Sequence, residues 1–105
     1  MTAMESGDAP AVLLTIAYDS GMDERIMETL QEIGVTGWTK TFDAHGSGGA
    51  GPKLNSPVFP GSIFLLALLL PEAETLRVAE ALHALQRSYR RNPGLTMWTT
   101  PARLL

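Results

Sequence analysis

Apolar and polar positions follow two alternating rhythms along this chain. Ala11 to Tyr18 (AVLLTIAY) is a short apolar run with β-branched residues and predicts a buried strand. Ser20, with Asp23 three places on, predicts a helix N-cap of the capping-box type. Ile26, Met27, Leu30 and Ile33 then recur at helical spacing, and Gly34 ends that helix. Val35 to Phe42, rich in Thr and aromatic residues, predicts a second strand with Trp38, Lys40 and Phe42 on one face. Residues 43 to 61 are so rich in glycine and proline that no regular element is expected there. Ser62 to Leu70 predicts a third, more apolar strand. Pro71 and Glu72 open a second helix whose stripe is Leu76, Ala79, Leu82, Leu85 and Tyr89. Its last turn collects Arg87, Arg90 and Arg91 before Asn92-Pro93-Gly94 ends it. Leu95 to Thr100 predicts a last strand, stopped by Pro101.

The order is β-α-β, long loop, β-α-β. It predicts an α+β, ferredoxin-like antiparallel sheet with two helices on one face and a long loop between the second and third strands. The first and third strands, the most apolar, should be central, and those near Trp38 and Trp98 should be edges. Residues 1–10 are expected to be a flexible tail and 11–105 one domain. Ile63 to Leu70 shows no alternation: the odd positions are as apolar as the even ones. At ~25 cal/mol per Å² of apolar surface, leaving three or four such residues in water forgoes several kcal/mol. The second face of the sheet is therefore expected to be buried by other subunits.

The predicted loop holds GSGGAGPK at residues 46–53, which fits G-x-G-x-x-G and puts Lys53 one place late for a phosphate loop. Such motifs need a helix immediately after the glycines, so that its N-terminal N–H groups face the phosphate. Here Pro52, Pro57 and Pro60 follow instead, and that reading fails. A loop of this length inside a small domain points to a functional segment, ordered by a ligand or partner.

Charge and composition narrow the chemistry. No cysteine is present, which removes disulfides, thiolate catalysis and cysteine-held metals. The net charge of -3 conceals an asymmetry: residues 81–105 carry Arg87, Arg90, Arg91 and Arg103 and no acid. That suits a local anion site rather than a nucleic-acid surface, and no nucleic-acid partner is expected. His45 stands close to Asp43, a conceivable metal contact, while His83 falls at the edge of the second helix's stripe. Trp38 and Trp98 offer surfaces on which a base could stack, although aromatic residues on edge strands usually serve packing. No catalytic spacing stands out, so an enzyme is not expected. The longest apolar run has 8 residues, against the ~20 a membrane-spanning helix needs. The opening MTAMESGDAP lacks the basic and apolar regions of a signal peptide, which makes a cytoplasmic protein the expectation.

Gly34-Val35-Thr36-Gly37-Trp38-Thr39-Lys40-Thr41 resembles the G-[IV]-T-G-x-T-x-T signature of the PII-type (nitrogen regulatory P-II-like) signal-transduction proteins. The resemblance runs from about residue 11 to residue 103. It implies a trimer with its sheets facing inward, and an adenine nucleotide (ATP, ADP or AMP) bound in clefts between subunits. It also implies a mobile T-loop, residues 44 to 61, that contacts a membrane transporter, enzyme or regulator. On that basis Thr36 and Gly37 line the pocket, and Gly46, Ser47, Gly48 and Gly49 form the loop's base. Arg103, with Arg90 and Arg91, would meet phosphate, and Lys53, Leu54, Asn55 and Phe59 would face the partner. The loop lacks the family's Gln-Lys-Gly stretch and its modifiable Tyr, and the family's second glycine loop is reduced to Asn92-Pro93-Gly94. The chain is thus expected to be a short, divergent PII-like protein. Two other readings stand beside this one: a metal-binding trimer of the metal-tolerance type using His45 and Asp43, or a partner-binding module that needs no ligand.

Overall fold

A computed structural model describes residues 10–44, 46–48, 51–53 and 61–105. Strand β1 (Ala11–Asp19) leads through a 3-10 turn (Ser20–Met22) into α1 (Asp23–Glu32), followed by β2 (Thr39–Ala44). Two short strands, β3 (Gly46–Gly48) and β4 (Gly51–Lys53), come next. Then follow β5 (Ile63–Pro71), a second 3-10 turn (Glu72–Glu74), α2 (Thr75–Arg87) and β6 (Leu95–Ala102). The main sheet has the order β2-β5-β1-β6, with every pair antiparallel. This is the ferredoxin-like split βαβ arrangement, with the two most apolar strands at its centre.

Strand geometry then sorts the side chains. β1 and β5 pair without a break from Ala11↔Pro71 to Asp19↔Ile63, so alternate residues of both strands share a face. Leu14, Ile16 and Tyr18 of β1 and Leu66, Leu68 and Leu70 of β5 are at most 1% exposed. They form one core with Met22, Ile26 and Leu30 from the first helical segment, Val35, and Val78, Leu82 and Leu85 from α2. Leu13, Thr15, Ala17, Ile63, Leu65 and Ala67 point the other way and stay half-buried, while Leu69 is exposed. The helices thus cover one face of the sheet, and the apolar run of β5 is divided between that face and an open one.

Several local expectations are corrected. Ser20 is not the helix cap. The Asp19 carboxylate accepts from the Gly21 N–H at 2.9 Å and closes the 3-10 turn, while α1 itself has no side-chain cap. Asp23 cannot reach back as a capping box because its carboxylate is engaged by Tyr18 and Lys40. The second strand starts four residues later than expected. Gly34 (φ 85°) donates to Gln31 O and Val35 N–H to Leu30 O at 2.8 Å, a Schellman closure that spends Val35 on the helix end.

The glycine-rich stretch does hold regular structure. β2 runs through Ala44 after a bulge, and β3 pairs with β4 as a two-stranded ribbon. In α2, the 3-10 turn after Pro71 advances the helical phase, so the buried stripe is Val78, Leu82 and Leu85. Leu76 is left 67% exposed, whereas Tyr89 does pack on the core from beyond the helix. α2 ends at Arg87, so Arg90 and Arg91 lie past its last turn. Pro101 does not stop β6 but pairs with Val12 inside it, which a strand with a neighbour on only one side can accommodate.

Candidate functional site

Polar chemistry gathers where the long loop meets the sheet. Lys40 faces the helix side of β2, opposite the core residue Leu66. Its side chain is 7% exposed and its Nζ lies 2.8 Å from Asp23 Oδ1. The rings of Trp38, Phe42 and Phe64 stand 5.1, 5.5 and 5.9 Å from that Nζ. An ammonium taken out of water needs both a counter-ion and a polarisable wall, and this one has them. Tyr18 donates its hydroxyl proton to the same carboxylate oxygen at 2.6 Å. Burial, then the hydrogen bond to Asp23 and its negative charge, hold the Tyr18 hydroxyl far above the usual phenol range. Tyr18, Phe64 and Phe42 continue as edge-to-face ring pairs at 6.0 and 4.9 Å.

The loop's two feet are fixed beside this cluster. Asp43 adopts φ 55°, a conformation Asp tolerates better than most residues, and its Oδ1 accepts from the Ser62 hydroxyl at 3.0 Å. Ser62 is buried, and its carbonyl accepts the Ser20 N–H at 2.9 Å. Lys53, at the end of β4, pairs with Asp19 Oδ2 at 3.1 Å. Its stem passes so close to Gly61 (φ 87°) that a Cβ there would sit 3.3 Å from the Lys53 Cδ.

The residues singled out from sequence fall in several places. Thr36 and Gly37 are exposed in the segment leading into β2, and no described residue beyond its chain neighbours lies within 4 Å of where a Gly37 Cβ would be. Gly46, Ser47 and Gly48 form β3. His45, Gly49, Leu54, Asn55 and Phe59 lie outside the described residues. The Asp43 carboxylate is occupied by Ser62, and the described residues contain no group of three or more His, Asp or Glu that could hold a metal.

Arg90 and Arg91 are exposed near the sheet end where β1 finishes, because Gly94 there accepts the Asp19 N–H. Arg103 follows β6 at the other end, where Ala102 pairs with Ala11. β2 and β6 are opposite edges of the sheet, so a single chain does not bring Thr36 and Gly37 to Arg103. The cluster of Tyr18, Asp23 and Lys40, with the Asp19 and Ser62 anchors beside it, was missed from sequence. Its one visible sign was a lysine flanked by aromatics on the Trp38–Phe42 face.

Comparisons with known proteins agree with this topology. No protein-family model and no curated protein sequence matches the chain. Among solved structures it is similar to CPII of Thiomonas intermedia K12, a nitrogen regulatory PII-like protein bound to ADP, AMP and bicarbonate. That similarity has 16% identity and a TM-score of 0.65 over 89% of this chain and 94% of that one. A Thermus thermophilus protein described as PII-like in signalling gives 23% identity and a TM-score of 0.64 over 92% and 91%. PII of Arabidopsis thaliana bound to citrate gives 12% and 0.60 over 86% and 77%. What the chain shares with them at these identities is the fold, along nearly its whole length.

Proposed function

We propose that this chain, which has the PII-like fold, is a regulatory protein. It assembles as a homotrimer and takes a small anionic effector, an adenine nucleotide or a molecule like it, in clefts between subunits. It contacts a partner protein through the loop between β2 and β5. The carrying observation is the open face of the sheet: Leu13, Leu65, Ala67 and Leu69 form a contiguous apolar surface that the chain's own helices do not cover. Soluble monomers seldom leave such surfaces open.

The same assembly would resolve the separation of the anion candidates. Thr36 and Gly37 stand at one edge and Arg103 beside the other, and packing the edge of one copy against the opposite edge of the next brings them to a shared cleft. The nucleotides and bicarbonate bound to CPII support the effector class. Arg103 would supply the charge that phosphate needs, with Arg90 and Arg91 near the loop end.

Calorimetry with ADP, AMP, ATP and bicarbonate, on protein whose mass has been measured by light scattering, tests this reading. A micromolar nucleotide complex of the trimer is expected. Arg103→Ala should weaken it by about 1.5–3 kcal/mol, the worth of charge-assisted hydrogen bonds. A folded trimer that binds none of these would overturn the effector assignment.

A further inference from the structure

We infer that Lys53 and Asp19 form a latch that holds the β3–β4 hairpin against the turn between β1 and α1, so that losing either charge frees the hairpin while the sheet stays folded. The latch is independent of what the clefts bind. Its acid is set rigidly. The Asp19 N–H is bonded to Gly94 O at 3.0 Å, and Oδ1 is taken by the Gly21 N–H at 2.9 Å. Oδ2 is left to face Lys53 at 3.1 Å, with both side chains about four-fifths buried (22% and 21% exposed). The base is guided as well, because the Lys53 stem runs along Gly61, where a Cβ would meet it at 3.3 Å.

The hairpin needs such a tether. Among the described residues, β3 and β4 pair with each other alone and form a sheet of three residue pairs, apart from the four-stranded one. A two-stranded ribbon of this kind is marginal by itself. The anchors at the loop's feet, Ser62 to Asp43 and Ser20 N–H to Ser62 O, fix where the chain leaves and re-enters the sheet, not the hairpin. Feet held firmly and an arm that, among the described residues, is held by one ion pair make a hinged element with a closed state. Another anion on Lys53 or another cation on Asp19 would open it. Lys53, expected from sequence to face a partner, is therefore unavailable to one until the latch opens.

Hydrogen exchange of the full-length protein, read by mass spectrometry over residues 46–53 with β1 and β5 as internal references, tests this. Asp19→Asn retains an acceptor for the Gly21 N–H while removing the charge. It should speed exchange in 46–53 by about five- to tenfold and leave the references unchanged. Lys53→Met should match it, the double variant should add nothing further, and Lys53→Arg should keep the slow exchange. Raising ionic strength should loosen the parent hairpin but not that of Asp19→Asn. Unchanged exchange in both single variants would overturn the latch. Equal acceleration across β1 and β5 would overturn it too, by showing that Asp19 serves the whole fold instead.

Discussion

The two faces of β5 carry nearly the same chemistry and meet different fates. Leu66, Leu68 and Leu70 are sealed beneath the helices, whereas Ile63, Leu65, Ala67 and Leu69, interleaved with them, line an open surface. A strand buried on one face would normally alternate apolar with polar. This one is apolar on both because both faces are used, the first to make the domain and the second, on our reading, to assemble copies of it. Effects on the helix face should then register as stability of the chain, and effects on the open face as association.

The sharpest contrast lies between neighbours. Leu68→Ala should cost about 3 kcal/mol by leaving a cavity in a fully buried site, seen as a lower midpoint in urea unfolding. That loss should persist at every protein concentration. Leu69→Ala should cost little when the protein is dilute and more as concentration rises, because stability then includes assembly. If both losses were equally independent of concentration, the distinction between the faces would fail.

The helix face is closed at its rim by the Lys40 cluster, a smaller but measurable contribution. Lys40→Met should destabilise by about 2 kcal/mol in the same assay, since it leaves the part-buried Asp23 carboxylate without its counter-charge. A null result there would show that the aromatic rings alone hold this edge. Tyr18→Phe removes one hydrogen bond and should cost about 1 kcal/mol at neutral pH. It carries a pH signature as well. The folded-state pKa of Tyr18 lies above the ordinary 10.0, so above that pH the unfolded chain sheds a proton that the folded one keeps. Tyr18 therefore stabilises fully below about pH 10 and progressively less as pH rises past it. The parent should lose stability more steeply than Tyr18→Phe in that range, and parallel slopes would contradict the assignment.

Sequence periodicity made the fold legible because the sheet obeys it. The four main strands, both helices and the central place of the apolar strands follow from apolar spacing and from Gly34 and Pro71. Local competition hid the rest. Asp19 took the capping role that Ser20 would suit, Val35 was spent on a helix end, and a 3-10 turn shifted the α2 stripe from Leu76 to Val78. The hairpin was invisible because glycine-rich strands lack any apolar rhythm. The Lys40 cluster showed only its flanking aromatics, for another reason: Asp23, Lys40 and Phe64 come from three separate elements and meet only when β2 docks beside β5. Charge pattern alone could suggest an anion site but could not place Arg103 and Gly37 on opposite edges.

The open face, on the function proposed for it, is an interface between copies of this chain. Light scattering of the parent and of Leu69→Asp at micromolar concentration tests that most directly. The parent should give three times the chain mass, and Leu69→Asp a single chain mass with its circular dichroism spectrum unchanged. A parent that is folded and monomeric under those conditions would contradict it.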